Sequence, residues 1–225
     1  MISYLKKNLD ILLIILIIIA LGFSFFFLSN KISIKNRNEF VCNNNLEKTQ
    51  PVTLPNLPPY GSDQALIKIV EFSDYLCSFC ARTAVEFYPK IESLIKEGKI
   101  AIYYRDFPVH EEAKPIANAA RCANEEGKFW EFNLKIFEKL LIGEDTTKKE
   151  TWLNLGKELG LNKEQFENCI NQNKYQKNVN DDLNYAFNLG LNGTPTFFVQ
   201  SQNKAFKIVG IDEACIMSAI NQLQK

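Results

Sequence analysis

Apolar residues in this chain follow two periodicities that predict an alternation of strands and helices. Short apolar runs at residues 66–70 and 100–105 predict two buried strands. Between them, apolar residues recur at helical spacing from Ala84 to Ile95, and Pro89 is predicted to kink this helix. A strand, a helix and a second strand in this order indicate a right-handed parallel crossover.

The pattern from residue 111 to residue 189 predicts helices only. Apolar positions there fall on successive helical faces, and two of these helices end at glycines. Residues 196–200 and 205–209 then predict two strands joined by a polar turn, and Asp212 is predicted to cap a final helix. The sequence therefore predicts an α/β domain over residues 62–225 with an all-helical insertion.

Two cysteines lie where the first strand turns into the first helix. Unpaired N–H groups and the dipole at a helix start favour Cys77 as a thiolate. The spacing brings Cys80 close enough to form a disulfide with it, so the pair can alternate between dithiol and disulfide. Half of a zinc site and a passive structural disulfide are the alternatives. Zinc needs two more ligands, while His110 is the only histidine and the other four cysteines are scattered.

The composition of the chain bears on its size class, its partners and its compartment. The chain has 225 residues, 46% of them apolar, with 26 acidic and 26 basic side chains and no basic stripe. We therefore expect one domain with an appendage and no nucleic-acid partner. Six cysteines suggest an oxidising compartment.

The N-terminal part predicts a membrane anchor. Residues 11–28 form an uncharged apolar run of roughly 27 Å as a helix, which approaches the thickness of a bilayer core. We assign residues 1–10 to a cytoplasmic N-terminus, 11–29 to a transmembrane anchor and 30–61 to a proline-rich tether. A cleaved signal peptide is the alternative. Lysines flank both sides of the run, so the domain is placed outside the cytoplasm because disulfide chemistry belongs there.

Several motifs in order resemble the DsbA-like thiol-disulfide oxidoreductases of the thioredoxin superfamily. They are VEFSD (70–74), CSFC (77–80), YRDFP (104–108), AARCA (119–123), GKFW (127–130) and GTPTFF (193–198). The resemblance covers about residues 64–223. It implies a thioredoxin fold whose helical insertion spans residues 111–189.

The resemblance also implies roles for individual residues. Cys77 would be the exposed nucleophile and Cys80 the buried resolving thiol. Thr194 and Pro195 would form a cis-proline loop that faces the cysteines and pairs with an extended substrate segment. Glu71 matches a buried acid that could accept or relay the proton of Cys80. Its alternative is a strand residue that points to solvent.

Ser78 and Phe79 depart from the best-known strong oxidants of this family, which have Pro-His between the cysteines. The redox direction therefore stays open. Anchored relatives often cross-link the insertion, which implies a disulfide between Cys122 and Cys169; two buried free thiols are the alternative. A pairing of Cys42 with Cys215 is a further hypothesis.

We expect from this resemblance a membrane-anchored enzyme that introduces disulfides into folding client proteins, with no cofactor or metal beyond the Cys77–Cys80 disulfide. A membrane reoxidase of the DsbB or VKOR type would regenerate it, and the bacterial cytoplasmic membrane, with the domain on the periplasmic or extracytoplasmic side, is the expected location. The alternatives are a disulfide reductase or isomerase of the same fold and, from another class, a non-catalytic chaperone or scaffold. His110 is interpreted as a hinge or surface residue, because a thiolate at a helix start needs no added base.

Overall fold

The computed structural model describes residues 17, 19–26, 28–29, 42 and 46–224, and it divides the chain into two compact units, Met1–Asn45 and Leu46–Lys225. In the first unit, the described residues between 17 and 29 are helical. Within the described part of the chain, no helix is long and apolar enough to cross a membrane. The predicted segment at residues 1–10 and part of the predicted anchor at 11–29 lie outside the described residues.

The second unit is built on one five-stranded sheet. Its strands are β1 (Glu47–Thr49), β2 (Ile67–Ser73), β3 (Ile100–Asp106), β4 (Thr196–Gln200) and β5 (Ala205–Val209). Their order across the sheet is β1-β5-β4-β2-β3. Strands β2 and β3 are parallel, as the predicted crossover requires, and every other neighbouring pair is antiparallel. The central strands β2 and β4 are buried almost throughout, which explains their continuous apolar character.

Eight α-helices surround this sheet in the second unit. They are α1 (Ser78–Arg82), α2 (Tyr88–Lys96), α3 (Ala113–Ala123), α4 (Phe129–Leu141), α5 (Lys149–Glu158), α6 (Lys163–Asn171), α7 (Gln176–Asn188) and α8 (Glu213–Leu223). Helices α3 to α7 lie between β3 and β4 in the chain, so the predicted all-helical insertion is confirmed. The Asp212 carboxylate accepts a hydrogen bond of 2.9 Å from the Cys215 N–H, which is the predicted cap of the last helix.

The connection from β2 to β3 is a helix with one irregular turn. Residues Thr83–Phe87 form a π-helical turn between α1 and α2. Pro89 then occupies the first turn of α2, where its missing N–H leaves no intrahelical bond unmade. The sequence predicts a kink at Pro89. In the structure, the irregular part of the helix is the π-helical turn that comes before this proline.

The tether predicted over residues 30–61 is wrong for its last part, because the compact unit begins at Leu46. Strand β1 extends the sheet beside β5, and Val52 and Leu57 are buried. The Gln200 side chain accepts a hydrogen bond of 2.8 Å from the Val52 N–H and donates one of 2.9 Å to its carbonyl. Long-range pairing thus orders a segment that has no apolar alternation of its own.

A buried network of charged side chains ties the insertion to the sheet. Arg121 on α3 bonds Asp106 at the end of β3 and Asp182 on α7, each at 2.5 Å. Arg105 pairs with Asp182 as well and reaches back to Thr53. Because these charges are buried, removing one partner would leave another uncompensated. The charged positions of two sequence motifs, YRDFP and AARCA, therefore hold the domain together.

Candidate active site

Asp74 fixes the turn that carries the chain from β2 into α1. Its carboxylate accepts a hydrogen bond of 2.6 Å from the Leu76 N–H, and its carbonyl accepts one of 3.1 Å from the Cys77 N–H. The other carboxylate oxygen accepts the His110 N–H at 2.9 Å and lies 3.0 Å from His110 Nδ1. The buried Asp74 thus joins the active-site turn to the loop before α3, while the His110 ring remains half exposed.

Cys77 occupies the N-cap position of α1 and is only partly buried. Its Sγ atom lies 3.4 Å from the carbonyl oxygen of Thr194. A hydrogen bond from the Cys80 thiol, together with the Thr194 side chain and the N–H groups of Cys80 and Phe79, lowers the pKa of Cys77 to about 5 despite partial burial. At neutral pH this sulfur is therefore a thiolate, the form that attacks disulfides and leaves from them.

Cys80 lies one turn further along the helix and is completely buried. Burial raises its pKa well above the usual value, and the hydrogen bond to Cys77 and the charges of Glu71 and Cys77 add to the effect. Among the described cysteines, Cys77 and Cys80 carry free thiols. The pKa of Cys77 is thus lowered and that of Cys80 is raised. This difference suits an exposed nucleophile and a buried resolving thiol.

The loop before β4 faces the cysteines. The Thr194–Pro195 peptide bond is cis. On either side of it, the Thr196 hydroxyl donates to the Gly193 carbonyl at 2.7 Å, and the Pro195 carbonyl accepts the Gly210 N–H at 2.8 Å. These bonds hold the Thr194 carbonyl beside Cys77, where an extended peptide could also reach it.

Glu71 lies on β2 beneath the cysteines and is 1% exposed, so its interpretation as a solvent-facing strand residue is wrong. The Tyr88 hydroxyl donates a hydrogen bond to Oε2. Within the described part of the chain, Oε1 has no hydrogen-bond partner. Burial raises the pKa of Glu71 to about 8, and the nearby Cys77 charge adds to the rise. At neutral pH the carboxyl group is therefore mostly protonated.

The two residues between the cysteines, Ser78 and Phe79, are exposed. The Arg82 guanidinium lies 4.8 Å from the centre of the Phe79 ring. Neither side chain is among the groups that lower the pKa of Cys77, to which Phe79 contributes its backbone N–H. This dipeptide therefore forms part of the exposed surface beside the nucleophile, and Phe79 supplies one backbone donor.

Cys122 and Cys169 form a disulfide between α3 and α6, the pairing that the resemblance implies. It cross-links the insertion. The sequence alone predicts no role for Asp74 or Tyr88. Asp74 is visible in the sequence only as the last residue of the VEFSD motif, and Tyr88 only as an apolar-face position of the helix.

The sequence of this chain is similar to those of known proteins. The family model described as Thioredoxin matches residues 54–207, which is more than half of the chain. The "Probable disulfide bond formation protein D" of Bacillus anthracis is 29% identical over 146 residues, covering 62% of this chain and 67% of that protein. The "Na(+)/H(+) antiporter NhaA 3" of Salinispora tropica is 29% identical over 147 residues, covering 63% of this chain but only 21% of the antiporter.

Solved structures show the same fold. DsbA from Chlamydia trachomatis aligns with a TM-score of 0.65 at 21% identity, covering 77% of this chain and 94% of that one. Oxidised BdbD from Bacillus subtilis aligns with a TM-score of 0.62 at 22% identity, covering 75% of this chain and 91% of that one. The architecture of the second unit is therefore that of a DsbA-like thioredoxin fold.

Proposed function

This chain belongs to the thioredoxin family, and on that premise we propose that it is a thiol:disulfide oxidoreductase that transfers its Cys77–Cys80 disulfide to folding proteins. The observation that carries this proposal is the environment of Cys77, a partly exposed sulfur with a pKa of about 5 beside the Thr194 carbonyl. The similar Bacillus anthracis protein is a probable disulfide bond formation protein.

The reaction follows from the two sulfur environments. A client thiolate attacks Cys77 Sγ of the disulfide, and the Cys77–Cys80 bond breaks with the electron pair leaving on Cys80. A second client thiolate then attacks the client sulfur of the mixed disulfide and releases Cys77 as a thiolate. The client loses two electrons and the cysteine pair gains them. Because the low pKa makes Cys77 a good leaving group, the second step favours release of an oxidised client.

The direction of electron flow is part of the proposal. A reduced form stabilised by a low-pKa thiolate makes the corresponding disulfide more oxidising. The contacts of Cys77 with Cys80, Thr194 and the helix N–H groups therefore support an oxidase over a reductase or isomerase.

The cellular setting extends the proposal. We place residues 11–29 in the bacterial cytoplasmic membrane with the thioredoxin domain on the extracytoplasmic side, where disulfides persist. The support is the uncharged apolar run in the sequence. A membrane reoxidase of the DsbB or VKOR type would then remove the two electrons that Cys77 and Cys80 acquire.

The test is the reduction potential of the full chain in glutathione buffers, combined with thiol trapping of Cys77 and Cys80 in cells. A potential well above about −270 mV, the thioredoxin value, with the pair mostly oxidised in cells, is expected. A potential at or below that value with a reduced pair would contradict the oxidase and leave a reductase.

A further inference from the structure

The buried Glu71 has one polar link that leads away from the cysteines. The Tyr88 hydroxyl donates to Glu71 Oε2, and Tyr88 follows the π-helical turn that begins one helical turn beyond Cys80. Tyr88 itself is nearly buried, at 6% exposure. Tyr88 also lines a cavity of about 620 Å³ that opens to the surface. Tyr88 therefore connects a buried acid with a cavity that opens to the surface.

The other residues that line this cavity have different hydrogen-bond partners from Tyr88. They include Tyr60, Pro89, Glu92, Trp130 and Leu134. Tyr60 also presents a hydroxyl, but this hydroxyl donates to Glu92 at 2.7 Å. Trp130 donates its ring N–H to the Pro58 carbonyl at 2.9 Å. Among the described lining residues, Tyr88 makes the hydrogen bond to Glu71.

The proposed reaction creates a need for such a link. When a client thiolate breaks the Cys77–Cys80 bond, Cys80 leaves as a thiolate in a fully buried site. A protonated Glu71 can neutralise it, but the acid then carries a buried negative charge that must be protonated again before the next cycle. Burial of Glu71, with a pKa of about 8, means that the proton is present at neutral pH.

We propose that Tyr88 is a positioning residue that holds Glu71 toward Cys80 and connects this acid to the cavity as its route of proton supply. This inference rests on the proposed thiol-disulfide exchange. One proton passes from Glu71 to the departing Cys80 sulfur. The Tyr88 hydroxyl then gives its proton to the Glu71 carboxylate and takes one from cavity water, so Tyr88 ends unchanged and solvent supplies the net proton.

The groups that face Glu71 from the packed elements are few. Cys77 and Cys80 approach it from the start of α1, and Tyr88 from α2. On β2 itself, the Ser73 hydroxyl acts to lower the pKa of Glu71, against the larger effect of burial. Tyr104 lies directly opposite on β3. Its hydroxyl has no hydrogen-bond partner among the described residues, and burial raises its pKa well above the usual value. No lysine or arginine is among the groups that shift the Glu71 pKa.

The decisive variant is Tyr88→Phe in the full chain, because it removes only the hydroxyl. Tyr60→Phe is the matched control, since it removes a hydroxyl from the same cavity wall without touching Glu71. The measurement is the rate at which dithiothreitol reduces the Cys77–Cys80 disulfide, followed from pH 5 to pH 9. We expect Tyr88→Phe to slow reduction about fivefold near neutral pH and to alter the pH profile, while Tyr60→Phe matches the unsubstituted chain.

Infrared spectroscopy separates this role from a merely structural one. The carbonyl band of protonated Glu71 is identified by its loss in Glu71→Gln. We expect the band to move to higher frequency in Tyr88→Phe, because the carboxyl loses a hydrogen bond, and to stay in place in Tyr60→Phe. If Tyr88→Phe does not fold, the unsubstituted chain with ring-labelled tyrosine is measured instead. A tyrosine band that changes on reduction in both the unsubstituted chain and Tyr60→Phe is then expected.

Two results would overturn the inference. The first is a Tyr88→Phe chain with the same rate, pH profile and carbonyl band as Tyr60→Phe. The second, where the variant does not fold, is a tyrosine spectrum that does not change on reduction. Failure of the proposed function has a different signature, namely an unsubstituted chain whose Cys77–Cys80 disulfide does not exchange with thiols at any pH.

Discussion

The thioredoxin-fold unit contains two cysteine pairs in contrasting settings. Cys77 and Cys80 are three residues apart on either side of a helix start, with one sulfur partly exposed and both thiols free. Cys122 and Cys169 lie 47 residues apart on two helices of the insertion, both buried and joined in a disulfide. Cys77 is surrounded by hydrogen-bond donors, whereas Cys122 packs in the apolar core.

This contrast indicates that loop length and environment suit one pair to disulfide exchange and the other to stabilising the fold. A ring closed by residues close in sequence restricts the unfolded chain little. Its disulfide therefore adds little stability and can be transferred. A ring of 47 residues restricts the unfolded chain far more. Donors around Cys77 stabilise the thiolate, while burial of the second pair keeps it away from clients.

The largest effect is expected from Cys77→Ser, because the sulfur that the client thiolate attacks is lost. Thiol-disulfide exchange with a reduced client peptide should fall by about a thousandfold or more. Cys80→Ser is the informative counterpart. With a client peptide that carries a disulfide, its Cys77 thiolate should attack one client sulfur and release the other as a thiolate, and the mixed disulfide should accumulate because the resolving thiol is missing. Client-dependent function that persists in Cys77→Ser would support the chaperone or scaffold alternative.

Replacing both Cys122 and Cys169 by Ala should lower the stability of the unit and leave its chemistry intact. The loop of 47 residues corresponds to a loss of about 4 kcal/mol in the free energy of unfolding if chain entropy dominates. Denaturant unfolding measures this loss, and the exchange rate of the same chain is the control. A double variant with full stability and reduced exchange would reverse the assignment of the two pairs.

Glu71→Gln should change how stability depends on pH. Burial raises the pKa of Glu71 to about 8, so its protonated form stabilises the fold fully below the ordinary pKa of about 4.5. That contribution is lost as the pH rises through about 8. The oxidised protein is used, because Cys77 does not titrate in a disulfide. Between pH 5 and pH 9 the variant should lose less stability than the unsubstituted chain, by more than about 1 kcal/mol. Parallel pH profiles would contradict this account of Glu71.

The smallest effects are expected from two substitutions of Phe79, which distinguish the contribution of its side chain to the Cys77 pKa from that of its backbone N–H. Phe79→Ala keeps the N–H that faces Cys77, so the pKa of this thiol should change by less than about half a unit. Phe79→Pro removes that N–H and should raise the pKa of Cys77, by roughly one unit. Thiolate absorbance against pH measures both. Equal pKa values in the two variants would show that the backbone donor is unimportant.

Much of this fold could be predicted from the sequence, because its central elements have strong local patterns. The apolar runs of β2 and β3 and the helical insertion between residues 111 and 189 are examples. Strand β1 could not, since Glu47, Lys48 and Thr49 carry no apolar alternation and become a strand only by pairing with β5.

The candidate site also has residues that the sequence predicts and residues whose roles only the structure shows. Cys77, Cys80 and the Thr194–Pro195 loop are visible as motifs, because their chemistry depends on residue type and short spacing. The roles of Asp74 and Tyr88 depend on contacts with His110 and Glu71, which are 36 and 17 residues away. Whether Glu71 faces the core or solvent is set by the register of β2 in the sheet, which the sequence alone does not fix.

The short strand β1 also determines where a usable fragment of this protein can begin. It covers the outer edge of β5, with Glu47 opposite Lys207 and Thr49 opposite Ala205, and a Glu47–Lys207 ion pair of 2.6 Å. A fragment cut at residue 62 would expose the free N–H and C=O groups of β5 to strand addition by another copy. Expression should therefore start upstream of Leu46, or self-association of the trimmed fragment will be mistaken for an oligomeric state of the protein.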